Sequence, residues 1–239
     1  MASNPPGACC LEKSLHEGTP IGSYKTVAGL DTYVVGTENG NDNIIVIATD
    51  IYGYKLQNVL LIADQIAKVG KYQVLIPDIL KGDPIEEEFA TWLPKHGPEI
   101  TTPIFDGFLS SLKSEYKPKF LGGIGYCFGA KYVIQNLRKD GLLDAGAGAH
   151  PSFVSVEEVE DVAKPLTISA AQIDPIFTVE LRHKTEEILS KKEGVSWELT
   201  LFAGVSHGFA VRGDISIPQV KYAKEKALTD QLAFFAANK

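Results

Sequence analysis

Two hydrophobic periods, that of a strand and that of a helix, alternate along this chain almost to its end. Asn43-Ile44-Ile45-Val46-Ile47-Ala48-Thr49 is a β-branched apolar run, the pattern of a parallel strand covered on both faces. Apolar residues then recur at helical spacing from Lys55 to Val69, and Gly70 is expected to close that helix. Tyr72 to Ile76 predicts the next strand, which ends at Pro77-Asp78. An irregular stretch with Gly82, Pro84 and Pro94 follows, then a helix over about Pro98 to Tyr116. Phe120-Leu121-Gly122-Gly123-Ile124 predicts a strand that leads into a helix beginning near Ala130. Leu143–His150, Leu166–Ala170 and Ser196–Phe202 are further strands, with helices over about Val179–Lys191 and Gln219–Ala237. Thr26 to Gly36 reads as strand at an antiparallel edge, and residues 1–24 as an irregular N-terminal segment.

This alternation predicts the α/β class: a mostly parallel central sheet with right-handed crossovers and helices on both faces. At 239 residues, 44% hydrophobic and 22% charged, the chain suits one domain spanning residues 1–239. A formal net charge of -7 argues against nucleic acid or an anionic membrane as the main partner, and leaves a small anionic substrate open. No apolar stretch is long enough to span a bilayer and no secretory leader is apparent, so a cytoplasmic location is expected. Three cysteines, two of them adjacent, form no disulfide framework. Cys9-Cys10 lacks a matching Cys/His pair at zinc spacing, and no metal site is expected. No dinucleotide fingerprint follows the first buried strand, so no cofactor is expected.

The chemistry concentrates at Gly125-Tyr126-Cys127-Phe128-Gly129, between the predicted strand and helix. This is the spacing of a nucleophile elbow, with cysteine as the central residue. The turn strains its middle residue, and flanking glycines avoid collisions that a Cβ would make. At a helix N-terminus, unpaired N–H groups and the helix dipole favour the thiolate. The Phe128 N–H is a candidate oxyanion donor.

Two further candidates follow later strands, at the sheet end where open α/β proteins hold their ligands. Asp174 comes after Leu166–Ala170, before Pro175, and His207 after Ser196–Phe202, within Gly204-Val205-Ser206-His207-Gly208-Phe209. The order Cys127, Asp174, His207 is that of α/β-hydrolases. A histidine near the thiol can take and return its proton, and a carboxylate on the other ring nitrogen fixes the tautomer. Taken singly, an Asp before Pro is a common turn former and His207 a plausible polar loop residue; the combination is what points to catalysis.

On these motifs, with Thr49-Asp50-Ile51-Tyr52-Gly53 and Asp174-Pro175-Ile176-Phe177, the chain resembles the small fungal branch of the dienelactone hydrolase family. The resemblance implies an α/β-hydrolase fold and a carboxylesterase-type hydrolase, acting on an ester or enol-lactone through an acyl-cysteine. It also implies a second oxyanion donor at Ile51 N–H, and a thiolate-modulating acid at Asp50 where bacterial members carry glutamate. A capping or turn role for Asp50 stands beside that reading. Bacterial members hold the substrate carboxylate with two arginines. The corresponding stretches here offer Lys81, and Val211 followed by Arg212, so each of these charges is either a substrate contact or a solvated surface group. Tyr52 and Trp92 complete the candidate substrate contacts. The expected partner is a small-molecule ester, lactone or thioester, and the expected assembly a monomer or weak homodimer. The rival reading is a non-catalytic α/β-hydrolase-fold protein whose Cys127 senses oxidants or electrophiles.

Overall fold

The structure is a computed structural model and describes residues 1–11, 13–86 and 88–239. Eight strands form one sheet: β1 (Ser23–Val27), β2 (Leu30–Val35), β3 (Asn43–Ala48), β4 (Gln73–Pro77), β5 (Phe120–Tyr126), β6 (Ala145–Ala149), β7 (Leu166–Ile173) and β8 (Trp197–Ser206). Their spatial order is β1-β2-β4-β3-β5-β6-β7-β8. The pairs β1/β2 and β2/β4 are antiparallel, and every other pair is parallel.

The helices are α1 (Gln57–Gly70), α2 (Phe89–His96), α3 (Pro98–Tyr116), α4 (Phe128–Gln135), α5 (Val156–Glu160), α6 (Val179–Leu189), α7 (Phe209–Arg212) and α8 (Pro218–Ala237). The period-two pleat divides β3 between two cores. Ile44, Val46 and Ala48 pack with Phe105, Phe108 and Leu112 of α3 and Tyr132 and Val133 of α4. Ile45 and Ile47 face the opposite core, with Val59, Ile62 and Ile66 of α1 and Ala223, Ala227 and Phe235 of α8. Small residues let α4 sit close on the sheet. A Cβ at Gly123 would lie 3.2 Å from Val133 of α4, and one at Gly146 3.0 Å from the same side chain. That close approach fixes where the helix after β5 begins.

The sheet, its parallel core and the long helices agree with the periodicity, and four details differ. The predicted edge strand Thr26–Gly36 is a hairpin, because Ala28 and Gly29 both take positive φ, the geometry of a two-residue turn. Helix α1 ends at Gly70, but the left-handed residue is Lys71 with φ 58°. Glycine at 70 instead avoids the Tyr72 ring, which would lie 2.6 Å from a Cβ. The irregular stretch contains α2, in which Pro94 lies inside the helix. Finally, β8 runs on to Ser206, past a bulge at which its pairing with β7 jumps from Ala171/Phe202 to Ile173/Ser206.

The described residues before β1 carry a 3-10 turn at Ala8–Leu11 and run along the carboxyl end of the sheet, and β1 begins at Ser23, inside the stretch read from sequence as irregular. Ala2 and Ser3 both donate to Val154 O, and Asn4 N–H donates to Ile176 O. Ser14 N–H donates to Arg212 O at 2.9 Å, and Asn58 Nδ2 donates to Ser14 O at 2.7 Å.

Candidate active site

The elbow is held by backbone contacts on every side. Cys127 has φ 50° and ψ −111°, which is strained for any residue with a Cβ. Its N–H donates to Ala149 O, and its carbonyl accepts from Ala130 and Ser152 N–H. A Cβ at Gly129 would lie 2.1 Å from Ala48 O, and one at Gly125 2.4 Å from Ala130 Cα. Only glycine fits at either position, so β3, β5 and α4 meet at the turn. Phe128 opens α4, and its N–H, as a first-turn group, has no acceptor within the helix. Ile51 lies in the turn just after β3, which pairs with β5.

Strand register brings the other two residues together. Ile173 of β7 pairs with Ser206 of β8, and His207 N–H donates to Ile173 O at 3.0 Å. The next residues on the two strands, Asp174 and His207, are therefore neighbours. Asp174 Oδ1 accepts from the N–H groups of Ile176 and Phe177, which fixes its carboxylate. Its oxygens lie 3.0 and 2.9 Å from His207 Nδ1, and His207 Nε2 lies 3.1 Å from Cys127 Sγ. Complete burial pushes the Cys127 thiol up, but a hydrogen bond from Cys10 and the charge and hydrogen bond of His207 outweigh it. Arg212 adds to that effect, and the thiol ends well below its ordinary range. Burial by itself would lower His207, yet the thiolate and the Asp174 carboxylate raise it to about 10. Both shifts favour a thiolate–imidazolium pair.

Asp50 and Arg212 form a second buried pair: Arg212 Nε donates to Asp50 Oδ2 at 2.8 Å, and Tyr52 N–H donates to Asp50 Oδ1. Asp50 is thus tied to Arg212 rather than hydrogen-bonded to the thiol, although burial and the nearby thiolate both raise its pKa, against the guanidinium. Arg212 is 3% exposed, which corrects the expectation that it is as readily a solvated charge. The Tyr52 ring lies beneath its guanidinium, 5.6 Å away, and the Tyr52 hydroxyl donates to Leu11 O.

The remaining two candidates lie elsewhere. Trp92 is fully buried, stacked on His96 at 4.1 Å and edge-on to Phe128 at 5.7 Å, so it supports the elbow from the core. Lys81 is exposed, in a separate cavity with His96, Ile100 and Thr101. A cavity of about 550 Å³ does reach His207 and Arg212, beside Lys13, Ser14 and Phe209.

Two contacts had no local signal. Cys10 Sγ lies 3.4 Å from Cys127 Sγ, and both residues are fully buried. With His207 they form a cluster whose ligand atoms lie within 4.8 Å of one another. Ser152 Oγ is 3.6 Å from the same sulfur. His150, just after β6, is fully buried, with its ring 5.0 Å from that of His207. Burial and the charge on His207 hold His150 well below the usual histidine range, so it stays neutral.

A mostly parallel sheet carrying a cysteine elbow, with acid and histidine after the last two strands, defines the α/β-hydrolase class. Within it, this chain belongs to the dienelactone hydrolase family, whose model matches residues 30–238. It is 37% identical to Hydrolase tropI of Talaromyces stipitatus, over 98% of this chain and 97% of that protein. It is 32% identical to Dienlactone hydrolase 1 of Gibberella moniliformis, over 99% and 97% of the two chains. The solved structure of a putative dienelactone hydrolase from Klebsiella pneumoniae matches with TM-score 0.76 at 15% identity, covering 90% of this chain and 98% of that one. Family and fold make the protein a hydrolase. No helix among the described residues is long and apolar enough to cross a membrane.

Proposed function

We propose that the protein hydrolyses small carboxylic esters or lactones through an acyl-Cys127 intermediate, without a cofactor. The observation that carries this reading is the linear arrangement Asp174–His207–Cys127, with contacts of 2.9 and 3.1 Å. The Cys127 thiolate attacks the acyl carbon, and the carbonyl electron pair moves onto oxygen, facing the N–H groups of Phe128 and Ile51. Collapse expels the alkoxide or enolate, which takes the proton from His207 Nε2. Neutral His207 then removes a proton from water, the water oxygen attacks the acyl carbon, and the thiolate leaves. Asp174 holds the ring orientation and stabilises the imidazolium throughout.

A thioester would react through the same groups, so the leaving group is set by the pocket rather than by the triad. The Asp50–Arg212 pair bears on the acyl part of the substrate. Arg212 already has a buried carboxylate partner, and a substrate carboxylate would have to compete with Asp50 for it. Neutral esters and lactones are therefore the expected better substrates. An initial-rate screen across p-nitrophenyl esters, enol-lactones and thioesters, run beside Cys127→Ala, tests the proposal. Turnover that is lost in the variant supports it, and equal rates in the two proteins would sink it.

A further inference from the structure

Cys10 packs directly against the proposed nucleophile, with its sulfur 3.4 Å from that of Cys127. It belongs to the turn Ala8–Leu11, and the chain on either side is anchored to the walls of the site. On one side Asn4 Nδ2 donates to Pro175 O and Phe153 N–H to Asn4 O. On the other, Tyr52 holds Leu11 O and Arg212 O holds Ser14. Cys127 is 0% exposed, with Cys10 of this turn packed on its sulfur. The two sulfurs are 117 residues apart in sequence and 3.4 Å apart in space. A disulfide has an S–S separation of about 2.05 Å, so a small movement of a surface turn would join them.

We propose that Cys10 is a resolving cysteine for Cys127, so that a peroxide oxidant converts the pair into a reversible disulfide that closes the site. The thiolate of Cys127 attacks one peroxide oxygen; an S–O bond forms, the O–O bond breaks, and the departing hydroxide takes the His207 proton to become water. Cys10 then gives its thiol proton to His207 Nε2 and attacks the sulfenic sulfur. The S–S bond forms, the S–O bond breaks, and hydroxide leaves with that proton as a second water. Two thiols and one hydrogen peroxide thus become a disulfide and two waters. The trap acts before further oxygen can add to Cys127, and a dithiol reverses it. The Cys10–Cys127 contact also distinguishes this chemistry from oxidation of the nucleophile alone, which would end in sulfinic acid. Cys9, half-buried and hydrogen-bonded to Cys10, is the competing partner.

Closure of the disulfide rests on the sulfur geometry, and its effect on turnover rests on the hydrolase reading. The full-length protein, Cys10→Ser, Cys10→Ala and Cys9→Ser are each treated with hydrogen peroxide. They are then compared by intact mass, by non-reducing peptide mapping, and by ester hydrolysis before and after dithiothreitol. Wild type and Cys9→Ser should lose two hydrogens, yield a peptide joining Cys10 to Cys127, and drop on the order of tenfold in activity with recovery in dithiothreitol. Both Cys10 variants should instead gain two oxygens at Cys127 and stay inactive after reduction, each measured against its own untreated rate. A Cys9–Cys10 disulfide in wild type, or sulfinic Cys127 despite Cys10, would overturn the proposal. The mass measurement needs no substrate: a Cys10–Cys127 disulfide in a protein that hydrolyses nothing would refute the hydrolase reading and leave this one standing.

Discussion

The elbow at Cys127 and the segment lying across it are both irregular backbone at the same end of the sheet, yet they are held by different physics. The elbow is over-determined. A methyl group at Gly129 would meet Ala48 O at 2.1 Å, and backbone hydrogen bonds from Ala130 and Ser152 clamp the Cys127 carbonyl. In the N-terminal segment a Cβ at Gly7 would meet nothing within 4 Å, and the anchors are hydrogen bonds at either end together with Ala2 and Cys10, which are buried in the core. A nucleophile has to be positioned to a fraction of an ångström, whereas its cover has to leave. Steric locking at the elbow and looser anchoring of the segment over it would, on the proposed reading, let one site do both.

The largest test of that contrast is removal of the sulfur. Cys127→Ala is expected to lower kcat/KM by at least about 10³-fold with an unchanged far-UV circular dichroism spectrum, and His207→Ala by roughly 10²–10⁴-fold. Retained turnover in Cys127→Ala would remove the reason for the strained turn. Arg212 joins the two regions, since it pairs with Asp50 and carries the carbonyl that anchors Ser14. Arg212→Met leaves a buried carboxylate without its partner and should cost about 3–5 kcal/mol in urea unfolding. At the elbow, Gly129→Ala should cost on the order of 3 kcal/mol by overpacking, while Gly7→Ala in the cover should stay within about 0.5 kcal/mol. Equal losses at the two glycines would erase the distinction.

The pH profile sharpens the electrostatic half. An unperturbed thiol near pKa 8.5 would be about 3% ionised at pH 7, so full ionisation beside His207 raises the thiolate fraction by roughly 30-fold there, partly offset by the lower nucleophilicity of a low-pKa thiolate. The pKa of Cys127 is lowered, so its reactive form is present above that depressed value and lost only as pH falls through it. That of His207 is raised, so its imidazolium persists until pH climbs through about 10. The kcat/KM profile should therefore be flat across neutral pH, with a fall on the alkaline side near that value. A rise confined to pH above 8 would show that the ion pair does not form. The smallest expected effect lies in the cover. Asn4→Ala deletes one anchoring side-chain hydrogen bond, worth about 1 kcal/mol, and should speed alkylation of Cys127 by iodoacetamide about fivefold.

Much of the site was legible because nucleophile elbows are local. Glycines two residues on either side of Cys127, a preceding apolar strand and a following helix are all contained in one short stretch of sequence. Asp174 and His207 were legible as strand-end residues in a known chain order. Their adjacency depends on the pairing of Ile173 with Ser206 across a bulge, which no periodicity announces. Trp92 looked like a pocket wall because aromatic residues suit one, but stacking on His96 and edge-on packing against Phe128 hold it in the core. Lys81 lines a different cavity from the one that reaches His207 and Arg212, because its strand-end loop turns away, which no spacing announces.

The sequence by itself determined the alternation of strands and helices, the elbow, and the order of thiol, acid and imidazole. Those follow from side-chain periodicity and from steric limits on neighbouring residues, both of which act over a few positions. Only the tertiary structure decided that Arg212 would neutralise Asp50 across 162 residues and that Cys10 would rest on Cys127 across 117. Those contacts lie between irregular segments, where no repeat marks a partner. Burial of charge and sulfur at the end of the sheet, possible only once the sheet has formed, selects them.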